Sequence, residues 1–237
     1  LPAAVSFSGS LLIAGAFVLS RYCRKLTLKI ERRWQALSAG VAVAYVFVNF
    51  MPELEEHRAA VAGSAIGTLL DIEKRIYLWA LGGFVAFAGL GRLRSAPARG
   101  RHQPGLLYRG EMAGYALYTL LIGYLLVRRE DDSVLSLGLF VFAIGLHLFM
   151  MDGELAEQFE DRYESYGRLL LICSVLLGWA LGIAGVFPDS LTSRLFAFLG
   201  GGILITSVHA EVRAEEGTRF WWFISGSAAY ATLLMLI

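Results

Sequence analysis

The sequence predicts an all-α membrane protein of eight transmembrane helices, a single polytopic domain over residues 1–237. Three observations carry that prediction. The chain is 57% hydrophobic with a mean hydropathy of +0.59, too apolar for an ordinary soluble domain. Eight apolar stretches approach the roughly 20 residues that a helix needs to cross a bilayer. All 21 Lys and Arg and all 20 Asp and Glu fall in the seven connections or in the helix ends beside them. Bilayer solvation explains that partition, because a charge in mid-span is costly on any scale.

The eight stretches are approximately 3–20, 35–52, 74–92, 111–128, 134–153, 168–187, 191–210 and 219–237. The first is followed by the basic run Arg21 to Lys25. A signal peptide carries its charge before the apolar region, so the stretch is read as a retained first helix. The second ends at Pro52, which must break the helical hydrogen-bond ladder and free carbonyls. Residues 59–70 are apolar but too short to cross and are read as a loop or interfacial turn. The fifth stretch is the focus of the chain, GLFVFAIGLHLFMMDGELAE over Gly138 to Glu157, because His147 lies well inside it. An ionisable group within a span marks a functional site by default.

Orientation follows from the basic residues. Arg21, Arg24, Lys25, Lys29, Arg32 and Arg33 fill the first connection, and Arg92, Arg94, Arg99, Arg101 and Arg109 the third. The positive-inside rule therefore places the odd-numbered connections in the cytoplasm and both termini outside. The fifth connection is rich in acids, which weigh little in that rule. Helices 2 and 7 both start with small residues and end in a glutamate-rich turn, which suggests an inverted repeat relating helices 1–3 to 6–8. The net charge of +1 and the lack of a basic-aromatic motif point to no nucleic-acid partner. Cys23 and Cys173 have no CxxC partner and form no disulfide framework or zinc knuckle.

Three polar constellations qualify as sites. Asn49, Glu53 and Glu56 share a face of helix 2 at i, i+4 and i+7, with His57 close by. They read as an entry surface for a cation or as a helix end meeting water. His147, Met151 and Glu154 share a face of helix 5, with Asp152 beside it. Imidazole and carboxylate suit zinc, and a thioether suits a softer ion. In helix 7, Ser207, Glu211 and Glu215 recur at four-residue spacing. The tyrosines of helix 4, Tyr115, Tyr118 and Tyr124, read as packing residues.

The stretch SAGVAVAYVFVNFMPELEEH resembles the second helix of the ZIP family of divalent-metal transporters, with Pro52 and Glu53 matching and Asn49 where that family often has His. LGGGILITSVHAEVRAEEGTRFWWFISGSAAYATLLML is similar to the family's seventh and eighth helices, with Glu211 near an acidic position. In helix 5, HLFMMD keeps His147 and sets Asp152 where the family has Glu, while Leu148 and Met151 replace Glu and His. In helix 4, Tyr118, Thr119 and Ile122 stand at ligand positions and Gly123 is kept. The resemblance implies a ZIP-like eight-helix bundle that moves a divalent metal, zinc first and iron or manganese next. The implied route passes Asn49, Glu53 and His57 outside, then His147, Met151 and Asp152, then Glu154 and Glu211 inside, with Glu111 as a further candidate.

The chain thus reads as a carrier and not an enzyme, with lipid bilayer and metal ion as partners and a homodimer left open. An integral protein of a bacterial-type inner membrane fits this reading. No ATP-binding motif is present, which leaves a facilitator or secondary carrier. Two alternatives stand beside it: an intramembrane metal-dependent hydrolase, and a non-transporting scaffold or sensor that kept the fold. With four histidines in the chain, a three-ligand catalytic centre would have to draw on carboxylates.

Overall fold

The computed structural model describes residues 2–27, 31–52, 55, 72–95, 105–129, 133–212 and 217–236. Those residues are overwhelmingly helical and contain no strand. The α-helices are α1 (Ala3–Thr27), α2 (Glu31–Tyr45), α3 (Ile72–Ser95), α4 (Gly105–Val127), α5 (Val134–Arg162), α6 (Arg168–Ala184), α7 (Asp189–Val212) and α8 (Gly217–Met235). Among the described residues, four runs are long and apolar enough to cross a membrane: Ala3–Cys23, Tyr108–Val127, Val134–Ala184 and Asp189–Val208. Ile76–Arg92 and Phe220–Met235 are apolar but shorter. The short stretch at 59–70 lies outside the described residues.

Two elements hold turns that the sequence reading did not anticipate. Helix 2 is described as far as Pro52, the end expected from the sequence. A π-helical turn, Val46–Phe50, follows α2, with the Met51 N–H bonded to the Val46 carbonyl. A proline lacks its N–H and its ring collides with the carbonyl four residues back, here Val48; one wider turn absorbs both faults. The acidic fifth connection is also helical. α5 runs on to Arg162, and a second π-helical turn, Tyr163–Gly167, leads directly into α6. The interruption is Glu160, at φ 45° and ψ −125°. Asp152 and Arg168 are hydrogen-bonded although 16 residues apart, a span of about 24 Å in a straight helix. The chain therefore doubles back around Glu160. The polar stretch stays helical because Glu, Ala, Gln and Leu are good helix formers and Glu164 pairs with Arg168 at i, i+4. α6 ends at Gly185, whose φ of 60° suits a residue without a Cβ.

The helices sort into two groups by contact. α1, α4, α5 and α6 pack together, chiefly through α4·α6 and α1·α5; α2, α3, α7 and α8 pack together, chiefly through α3·α7 and α2·α8. The groups meet along α2·α5 and α4·α7, with a smaller contact of α3 on α4. Exchanging α1 with α6, α2 with α7, α3 with α8 and α4 with α5 reproduces these principal pairs.

Three of the tightest pairings share one local geometry. A methyl group on Gly40 would overlap the carbonyl oxygen of Phe223, and one on Gly226 that of Leu37. Gly83 and Gly201 stand in the same relation to Phe198 and Ala80, and Gly123 and Gly178 to Val175 and Leu120. In all six cases the carbonyl belongs to the residue three positions before the facing glycine, so the numbering runs in opposite senses and each pair is antiparallel. Between apolar helices in lipid there is little hydrophobic drive to associate, and close backbone approach through small residues supplies the packing instead.

Large exposed apolar side chains concentrate on α1, α3, α6 and α8, among them Leu12, Leu78, Phe84, Leu169, Leu177 and Trp221. α4 and α7 are the most enclosed of the long apolar runs. Buried polar groups include Thr119, Ser136, His147, Asp152 and Ser207 on α4, α5 and α7, together with Ser6 and Ser10 on α1 and Arg168 and Ser174 on α6.

A candidate polar site between the two helix groups

His147 lies thirteen residues into α5, about 20 Å along its axis. It is 6% exposed and faces α4 and α7. Its Nε2 is 3.1 Å from the Tyr118 hydroxyl on α4 and 3.4 Å from the Thr206 hydroxyl on α7. Its Nδ1 is 3.4 Å from the Ser207 hydroxyl, also on α7. Thr206 donates its own proton to the Gly202 carbonyl at 2.8 Å, so towards the ring it can only accept. Tyr118 and Ser207 can each donate or accept, which lets either neutral tautomer of His147 be satisfied. Imidazole and hydroxyls thus bridge the seam between the helix groups. A neutral ring held this way offers one nitrogen at a time to a guest, at the expense of one hydroxyl contact.

Asp152 looks elsewhere. Five residues along a helix is a rotation of about 140° and a rise of about 7.5 Å from His147. The carboxylate is fully buried. It accepts from Arg168 Nε at 3.0 Å and Nη2 at 3.1 Å, and from the Tyr163 hydroxyl. Arg168 also donates to Glu164 at 2.6 Å, and Arg21 of α1 lies 3.7 Å from Glu164. This chain of opposite charges ties the α5–α6 turn to α1. Bidentate guanidinium–carboxylate geometry plus a phenol satisfies a carboxylate that burial would otherwise penalise.

The other sequence candidates are dispersed. Met151 is buried one turn beyond His147, and Glu154 is half-buried. Asn49 sits in the π-helical turn after α2, where its amide donates to the Tyr45 hydroxyl at 3.3 Å. Glu53 and His57 lie outside the described residues, and so does the side chain of Glu211 on α7. Among the described residues, no three His, Cys, Asp or Glu side chains come together as a metal-ligand group. The structure gives His147 and Asp152 different partners, and among the described residues those of His147 are hydroxyls.

Sequence reasoning missed Tyr118, Thr206, Arg168 and Tyr163. Ser207 was noticed for its spacing with Glu211 and not as a partner of His147. Tyr118 did carry a signal, since it stands at a ligand position of the ZIP pattern. Arg168 could have been sought as the counter-charge that a buried Asp152 requires. No family model matches the chain, and a search of curated proteins also finds no match.

Proposed function

We propose that the protein is a transmembrane carrier of a divalent metal cation, zinc first and iron or manganese next, on an eight-span ZIP-like bundle with an inverted repeat. The observation that carries this reading is the position of His147. It lies deep within a long apolar run, and it faces the seam where two groups of helices meet. The inverted repeat draws support from the helix pairing, whose principal pairs are preserved when helices 1–3 are exchanged with 6–8 and α4 with α5. An ion at this seam would meet one imidazole nitrogen and neutral hydroxyl oxygens. Such a set binds zinc weakly and releases it readily, which suits passage better than storage.

The test is uptake into proteoliposomes loaded with a zinc-sensitive dye. Wild type should fill faster than empty vesicles, His147→Ala should fall to the empty-vesicle rate, and Tyr118→Phe should retain part of the flux. Wild-type uptake no faster than empty vesicles would defeat the proposal. One observation favours a second reading, the scaffold or sensor: Asp152, a buried acid on the same helix as His147, is already neutralised by Arg168. On that reading His147→Ala lowers thermal stability while no metal crosses in any variant.

A further inference from the structure

A third buried polar group, the cation Arg129, lies near the start of α5. Arg129 follows α4 and folds back on the first two turns of α5, where it is 6% exposed. One nitrogen, Nη2, bonds the Ser136 hydroxyl. The guanidinium carbon sits 5.3 Å from the centre of the Phe140 ring. Among the described residues, the buried Nε and Nη1 have no hydrogen-bond partner. The adjacent Arg128 differs: it is committed to Asp189 at 2.5 Å. Tyr230 on α8, a phenol close to Arg129, directs its hydroxyl to the Leu139 carbonyl at 2.7 Å.

Enclosing a guanidinium while two of its nitrogens lack acceptors is costly, because the charge and the donors both lose water. Phe140 covers one face of the plane and offsets part of that cost. It cannot satisfy the N–H groups, which point outward in the plane. The location adds to the imbalance: Ser136 is in the first turn of α5, the positive end of that helix dipole, which disfavours a bare cation and favours an anion. With Nε and Nη1 both without an acceptor among the described residues, each bidentate edge of the guanidinium keeps an unpartnered donor. Planar two-point recognition of this kind suits a phosphate or phosphodiester oxyanion.

We propose that Arg129, oriented by Ser136 and Phe140, binds a phosphate-class oxyanion at this end of the bundle. The oxyanion comes either from a phospholipid headgroup at the membrane surface or from free phosphate. The site is separate from His147 and does not rest on the metal-transport reading.

The test uses the full chain in a maltoside detergent, which carries no phosphate. Thermal unfolding is titrated with dioleoylphosphatidylglycerol or with inorganic phosphate, against chloride at equal ionic strength. Wild type should be stabilised by at least one of them. Arg129→Gln should weaken the apparent affinity roughly tenfold or more. Arg129→Lys, which keeps the charge but loses the fork, should fall between, and Arg128→Gln should retain binding. A response to the lipid assigns the headgroup; a response to phosphate alone assigns a soluble oxyanion. Should Arg129→Gln fail to fold, Arg129→Lys and Ser136→Ala carry the comparison. The proposal is overturned if neither ligand separates wild type from the Arg129 variants, or if Arg128→Gln loses binding equally. It is also overturned if wild type does not bind and only the variant Glu130→Gln, Asp131→Asn, Asp132→Asn does, since the chain's own acids would then fill the site.

Discussion

At the scale of single residues, the buried Asp152–Arg168 pair and the buried His147 respond differently to substitution. Asp152 and Arg168 are both desolvated, so removing one strands the other. Arg168→Ala should cost about 3–5 kcal/mol of stability, read as a drop in the thermal midpoint in detergent. The double variant Asp152→Asn with Arg168→Gln should recover much of that loss, because no charge is left buried alone. A double variant as unstable as the sum of the two singles would refute the coupling. At His147, Tyr118→Phe removes one hydroxyl from a ring that keeps others. The expected loss is about 1–2 kcal/mol, smaller than for Arg168→Ala, because the Thr206 and Ser207 hydroxyls remain.

At the scale of elements, the glycine crossings decide how closely the helices approach. Replacing a helical glycine with alanine ordinarily stabilises a helix by about 1 kcal/mol. At Gly123 the sign should reverse, because the added methyl would meet the Val175 backbone carbonyl and backbone cannot rotate away. Gly123→Ala should therefore destabilise α4·α6 by roughly 1–3 kcal/mol. A methyl group added at Gly145 on α5 would meet nothing within 4 Å, so Gly145→Ala should be neutral or mildly stabilising. Equal midpoints for the two variants would show that the α4·α6 crossing has room to spare. The pair makes a controlled comparison, since both substitutions add one methyl to an apolar helix.

At the scale of the whole molecule, the testable quantity is topology. Single cysteines at Ser95 and Thr218 should react with a membrane-impermeant reagent from the cytoplasmic side, and one at Ser64 from the outside. Ser64 and Ser95 on the same side would exclude eight crossings. The two helix groups also predict a pattern of polar substitution. Charges placed at Leu78 or Leu177, on the exposed flanks of α3 and α6, should impair insertion into the membrane.

Much of the architecture was legible in the sequence because solvation acts locally. Apolar runs interrupted by charged stretches are a property of composition along the chain; among the described residues the α-helices overlap the apolar stretches read from it, and four runs are long and apolar enough to cross a membrane. His147 was also legible, as the histidine inside such a run. What the sequence could not show was partnership. Tyr118, Thr206 and Ser207 stand 29, 59 and 60 residues from His147 and meet it through the packing of α4 and α7 on α5. The fate of Asp152 depended on a reversal at Glu160, and Glu is an ordinary helix former, so its positive φ has no local signature. Likewise the helical turn that leads from the reversal into α6 is held by Glu164 paired with Arg168, a contact that polarity along the chain does not reveal. Solvation wrote the helices into the sequence; which buried groups satisfy one another was decided by tertiary packing, because a hydrogen bond needs two partners placed within about 3 Å.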